Sequence, residues 1–155
     1  MNLEEWKKEN ESEKKWWGDC INTSDEETKQ LDYAKHMGLD QYRILGFLGG
    51  NYDLQGKSVL DIGGGPVSIL LKCRNFSTAT VIDPCAFPDW ILERYKKAGI
   101  TFIKELAENI DEDCSETKYD EVWIYNVLQH CLDPEKVLEK AKKKGLKIID
   151  ATCPI

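Results

Sequence analysis

Long apolar runs are missing from the 155 residues: none approaches the stretch of about 20 that crosses a bilayer, and nothing at the N-terminus resembles a secretory signal. A cytoplasmic protein with no membrane partner is therefore expected. Basic stripes are missing too. The formal net charge is -7. The one dense group of cations, Lys140 and Lys142 to Lys144, stands beside Glu135 and Glu139 and reads as the solvated end of a helix, where cations favour the negative pole of the macrodipole. Without a surface that neutralises phosphates, no nucleic-acid partner is expected. Histidine is scarce, with only His36 and His130, and the six cysteines, at 20, 73, 85, 114, 131 and 153, never form a C-x-x-C pair. Neither a metal site nor a disulfide framework is favoured, and without an export signal the thiols are expected to stay reduced. Cys73 and Cys131 lie in apolar stretches expected to be helical and read as small core residues.

What is present has the length of one domain with a real core. The first 23 residues mix Trp6, Trp16 and Trp17 with lysines and glutamates, which suits a partly ordered arm or an amphipathic helix. Ser24 and Glu27 have capping-box spacing, and Leu31, Ala34 and Met37 recur at helical intervals until Gly38. A second helix is expected over about 40–48, ending at Gly49-Gly50. From there the pattern alternates: strand 58–62, helix 66–74, strand 78–83, helix 88–98, strand 100–104, an acidic loop 111–117, strand 119–125, a short turn, a helix from Pro134 to Lys144 capped by Asp133, and strand 146–151. Strands alternating with helices imply right-handed crossovers and a parallel sheet.

The most informative stretch is Val59-Leu60-Asp61-Ile62-Gly63-Gly64-Gly65-Pro66, an apolar strand that ends in a carboxylate and breaks into three glycines. Glycine opens backbone conformations closed to other residues and lets N–H groups approach a ligand. A second apolar run, Ala79 to Ile82, ends in Asp83-Pro84, with the carboxylate twenty positions after Gly63. That spacing suits an acid holding ribose hydroxyls. In the dinucleotide fingerprint the third glycine packs helix on strand; here Ser68 stands in its place. Asp61 would repel a pyrophosphate and suit a ligand bearing an ammonium group.

The pattern of Asp61, Gly63 and Gly65 resembles motif I of class I S-adenosylmethionine-dependent methyltransferases, and Asp83 is similar to that family's ribose-binding acid. Ala107-Glu108 resembles the adenine-side loop, and Tyr119 to His130 the fourth strand and its following turn. The resemblance covers about 44–153. It implies a three-layer, Rossmann-like α/β domain over residues 44–155, behind a helical cap or arm formed by residues 1–43. It also implies strand order 3-2-1-4-5 and S-adenosylmethionine as cofactor. The site would be Asp61, Gly63, Gly64, Gly65, Asp83, Pro84, Ala107, Glu108, Asn126 and Gln129, gathered at the strand ends beside the topological switch. His130 is the candidate general base.

Each assignment has a plainer counterpart. Asp61 and Asp83 would serve as helix-cap or turn residues, Glu108 as a surface acid, and His130 as a hydrogen-bonded turn residue. Trp16, Trp17 and Tyr33 form either a lid or the fastening of N-terminal helices to the sheet. The function implied is methyl transfer to an unidentified small-molecule acceptor; the alternatives are a non-catalytic cofactor-binding subunit or regulator, and an enzyme that cleaves the sulfonium cofactor. The family usually continues with a further helix and an antiparallel strand pair, which are not found after strand five here. Strand 146–151 then forms a sheet edge for which a second copy of the chain, a partner or the N-terminal arm is the expected cover, a homodimer being favoured because dimers are the commonest soluble assembly.

Overall fold

A computed structural model describes residues 1–44, 52–110 and 118–151. The chain forms α1 (Leu3–Trp17), α2 (Ser24–His36), the short strand β1 (Tyr52–Asp53), β2 (Val59–Ile62), the short strand β3 (Cys73–Arg74), β4 (Ala79–Asp83), α3 (Asp89–Lys97), β5 (Thr101–Lys104), β6 (Tyr119–Tyr125), α4 (Pro134–Lys144) and β7 (Gly145–Ala151). Five strands make one sheet in the order β5-β4-β2-β6-β7, and all four pairings are parallel. Counted along the chain, that is the expected 3-2-1-4-5. The register sets Asp61 beside Val81 and Trp123, and Asp83 beside Lys104.

Both faces of the sheet are covered, which explains why the strands read as continuous apolar runs. Val59, Val81 and Trp123 join Ile91 and Tyr95 of α3 and Tyr33 and Ala34 of α2 in one buried cluster. Leu60, Ile62, Ile82, Val122 and Ile124 join Val137 and Ala141 of α4 in the other. Asp133 caps α4 by accepting the Lys136 N–H at 3.1 Å. Glu121 is buried in the first cluster, accepting from Tyr42 Oη at 2.6 Å and from Trp123 Nε1 at 3.1 Å, and so ties the segment after α2 to the sheet.

Several local expectations are corrected. The helix over 66–74 is only a 3-10 turn, Ile69–Lys72. Ser68 is extended, at φ -63 and ψ 149, and its hydroxyl accepts the Leu70 N–H, so the turn cannot start earlier. The chain then leaves at once to pair Cys73–Arg74 with Tyr52–Asp53. Pro66 accordingly lies outside any helix. At the start of the helix expected over 40–48 stands a 3-10 turn, Leu39–Tyr42, followed by extended Arg43; the rest of that helix from residue 45, Gly49-Gly50 and the acidic loop 111–117 lie outside the described residues. Thr23, not Ser24, holds the cap position of α2, without a side-chain bond, so the Ser24–Glu27 capping box does not form. A reciprocal box forms instead on α1, between Asn2 and Glu5. Leu31 is exposed while Gln30, Tyr33 and Ala34 are buried, and Lys144 is buried at the end of α4. Cys73 and Cys131 pack against the core as expected but lie outside helices. Cys20, Cys73, Cys85 and Cys131 are free thiols, and among the described residues no helix is long and apolar enough to cross a membrane.

Candidate functional site

The C-terminal ends of β2, β4 and β6 open on one side of the sheet, and α1 lies across them. Gly63 and Gly65 take φ of +70 and +68, a region that side chains disfavour. Space excludes side chains as well: a Cβ on Gly63 would stand 2.0 Å from Val127 Cγ2, and one on Gly64 would stand 2.6 Å from Asp61 Oδ2. The loop is therefore threaded between β6 and the carboxylate beneath it.

Asp61 is fully buried. Its Oδ2 accepts from the hydroxyls of Ser68 and of Tyr125, the latter at 3.3 Å, while Oδ1 has no partner among the described residues. Burial lifts this carboxyl to about 7; the two hydroxyls pull it down and the charge of Asp83 pushes it up. Asp83 is also buried, and its two oxygens accept from the N–H groups of Gly65 at 3.0 Å and Cys85 at 2.9 Å. Burial raises it to about 6, with the charge of Glu13 adding and the two N–H groups subtracting.

Two tyrosines absent from the sequence-level site hold the loop. Tyr95 Oη of α3 donates to the Gly65 carbonyl at 2.6 Å and accepts from the Ser68 N–H at 2.9 Å. Tyr125 Oη, besides its bond to Asp61, accepts from the Ile69 N–H at 3.2 Å. In the sequence both read as core aromatics, since Tyr95 follows Ile91 by one helical turn and Tyr125 ends an apolar strand. Only the fold shows where the hydroxyls go.

The remaining expected residues divide between two adjoining cavities. A small one, about 50 Å³, is lined by Asp83, Pro84, Ala107 and Glu108 from the sheet side and by Trp6, Glu9, Asn10 and Glu13 from α1. A larger one, about 790 Å³, is lined by the three glycines, Asn126, Gln129, Trp16 and Trp17. Gly63, Val127, His130, Glu9 and Glu13 border both. Glu108 is buried, but its Oε1 accepts the Asp133 N–H at 3.0 Å, which gives it a structural contact ahead of α4. Asn126 has φ +55, and its Oδ1 accepts from Gln129 Nε2 at 2.6 Å. His130 is half-exposed: Nδ1 lies 3.9 Å from Glu9 Oε2, and its carbonyl accepts from Trp6 Nε1 at 3.1 Å. Of the three aromatic candidates for a lid, Tyr33 belongs to the core with its ring tilted against Tyr125, Trp17 packs against the core from the cavity edge, and Trp16 is 66% exposed.

Asp61, buried behind the glycine loop with Oδ1 unpartnered and lining neither cavity, and Asp83, on the wall of the small cavity, make two buried acids with no buried cation beside them among the described residues. Such a site suits a ligand that brings positive charge and hydroxyl donors.

Comparison with known proteins identifies the family and the fold. A family model described as a methyltransferase domain matches residues 60–144, more than half of the chain. Among solved structures, the plantazolicin methyltransferase BamL, in complex with a triazolic desmethylPZN analog and SAH, is 20% identical, with a TM-score of 0.50 over 89% of this chain and 53% of that one. The [4+2]-cyclase SpnF is 16% identical, with a TM-score of 0.51 over 74% of this chain and 41% of that one. At such identities the likeness is one of fold, and the chain spans about half the length of these structures or less. A search of curated proteins finds no match. The motif-bearing core and the family match coincide: the chain belongs to the methyltransferase-domain family.

Proposed function

We propose that the chain binds S-adenosylmethionine across the ends of β4, β2 and β6 and serves methyl transfer to a small-molecule acceptor. The observation that carries this reading is Asp61, fully buried beneath Gly64 with one oxygen unpartnered. An ammonium group is the natural complement of such an oxygen, and a pyrophosphate is its opposite.

When bound, the cofactor supplies a methyl group on a positively charged sulfur. Asp61 holds the ammonium end, directly or through water, and is drawn to its ionised form by that charge. The N–H groups and bare Cα atoms of Gly63 to Gly65 allow close approach of the chain to the ligand. Asp83 accepts from the ribose hydroxyls with lone pairs left over from its bonds to Gly65 and Cys85, while Pro84, Ala107 and Glu108 border the adenine side. Asn126 and Gln129, which line the larger cavity, would face the reacting side, and His130, which borders both cavities, would take a proton from an acceptor. The protein's share of the chemistry is orientation and exclusion of water.

The test is transfer of an isotopically labelled methyl group from S-adenosylmethionine into the small-molecule fraction of a cell extract, with protein alone and Asp83→Ala as controls. Label appearing only with extract and parent protein supports methyl transfer. Adenosyl products without extract point to cofactor cleavage, and binding without turnover points to a regulatory role.

A further inference from the structure

The wall of the larger cavity is built from two unlike parts. At the end of α1 stand Trp16 and Trp17, with ring centroids 4.5 Å apart and planes at 71°. Trp17 packs on the glycine loop: a Cβ on Gly65 would lie 3.8 Å from its Cζ2, an ordinary contact distance. That contact fixes the inner ring. The outer ring, Trp16, is left 66% exposed at the cavity wall, and its indole N–H makes no hydrogen bond among the described residues. Single exposed apolar side chains are ordinary, and Leu3, 50% exposed on the same helix, is one that borders neither cavity. Trp16 differs in its place. A flat ring laid against it would take apolar area of both partners out of water, in a cavity shared with the glycine loop.

After β6 the wall is polar. Asn126 Oδ1 accepts from Gln129 Nε2 at 2.6 Å. This leaves Asn126 Nδ2 as a donor and Gln129 Oε1 as an acceptor, neither with a partner among the described residues. A donor beside an acceptor matches a ligand group that both accepts and donates, as a hydroxyl does. Charge selects no sign: Lys8 and Lys29 line the cavity together with Glu9, Glu13 and Glu26. At about 790 Å³ the space is that of a site for a small organic molecule, which combines apolar walls with a few placed polar groups.

We propose that the methyl acceptor is a neutral aromatic compound bearing a ring hydroxyl, with its ring stacked on Trp16 and its hydroxyl at the Asn126–Gln129 pair. The inference rests on the methyl-transfer reading above. An aromatic hydroxyl sheds its proton near about pH 10, as tyrosine does, so one imidazole suffices as base, and His130 borders the same cavity. In the step, the hydroxyl oxygen forms a bond to the methyl carbon and the C–S bond breaks with its electron pair left on sulfur. The hydroxyl proton passes to His130.

Label transferred from S-adenosylmethionine into the small-molecule fraction of a cell extract, resolved by chromatography with ultraviolet detection, tests this. The labelled product is expected to carry an aromatic absorption band and to release its label on ether cleavage with hydriodic acid, as an aryl methyl ether does. With that acceptor purified, Trp16→Ala should raise KM about tenfold, the size of one aromatic contact, while kcat and the affinity for S-adenosylmethionine stay as in the parent. Trp16→Phe keeps a ring and should recover most of the loss. Leu3→Ala, an equally exposed apolar position of α1 outside both cavities, should keep the parent KM. A labelled product without the band, one that resists hydriodic acid, or an unchanged KM in Trp16→Ala overturns the proposal and leaves methyl transfer standing. No labelled product with the parent protein overturns both.

Discussion

Asp61 and Asp83 dominate at the residue scale, because each is a buried acid raised above its usual range, to about 7 and about 6. An acid whose folded value exceeds its unfolded one contributes stability that is present below the unfolded value and lost as pH rises through the folded one. The ligand-free protein should therefore lose thermal stability as pH climbs from about 4 to about 7. Asp61→Asn keeps an acceptor for Ser68 and Tyr125 but cannot ionise, so its melting temperature should vary less over that window. A melting curve at each pH checks this, and equal slopes for parent and variant would refute it. In the same range S-adenosylmethionine should bind more tightly as pH rises, because the ligand's ammonium favours ionised Asp61. Tyr95→Phe removes the bond to the Gly65 carbonyl and the acceptor for the Ser68 N–H. It should cost about 1–3 kcal/mol of stability and weaken cofactor binding along with it, as read by denaturant titration and calorimetry.

Elements carry the next layer. The loop between β2 and the following 3-10 turn is the part that tolerates least: Gly64→Ala would set a Cβ 2.6 Å from Asp61 Oδ2 and 2.8 Å from Val81 Cγ1. Overpacking of this kind should cost about 1–3 kcal/mol, seen as a lowered melting temperature. At the opposite end of the sheet, Tyr42→Phe strips one partner from the buried Glu121 carboxylate and should cost a similar amount, about 1–3 kcal/mol. The strands were legible because a sheet buried on both faces writes itself as apolar runs, and because Asp61 and Asp83 punctuate two of them; their order came from the family resemblance of that motif. Gly63 to Gly65 were legible for a related reason: three consecutive glycines exceed what a turn needs. The helix expected at 66–74 was not, since Ile69, Leu70 and Leu71 have the apolar density of a helix. What ends it is Ser68 capping the Leu70 N–H and the pairing of Cys73 with Tyr52, a contact distant in sequence. The hydroxyl destinations of Tyr95 and Tyr125 were hidden likewise, because each depends on where another element lies.

At the scale of the molecule, the sheet, α1 and the glycine loop converge on one crevice, and binding there should couple to global stability by mass action. S-adenosylmethionine at about 100 times its dissociation constant should add about 2.7 kcal/mol to unfolding, and Asp83→Ala should lose most of that gain. The central claim is that this crevice holds a sulfonium nucleoside and not a dinucleotide. Its most direct measurement is a pair of calorimetric titrations of the parent protein at neutral pH, one with S-adenosylmethionine and one with NAD. Saturable one-to-one binding of S-adenosylmethionine with no heat from NAD is the result expected. Tight NAD binding with no response to S-adenosylmethionine would contradict the role given to Asp61 and with it the account of the site.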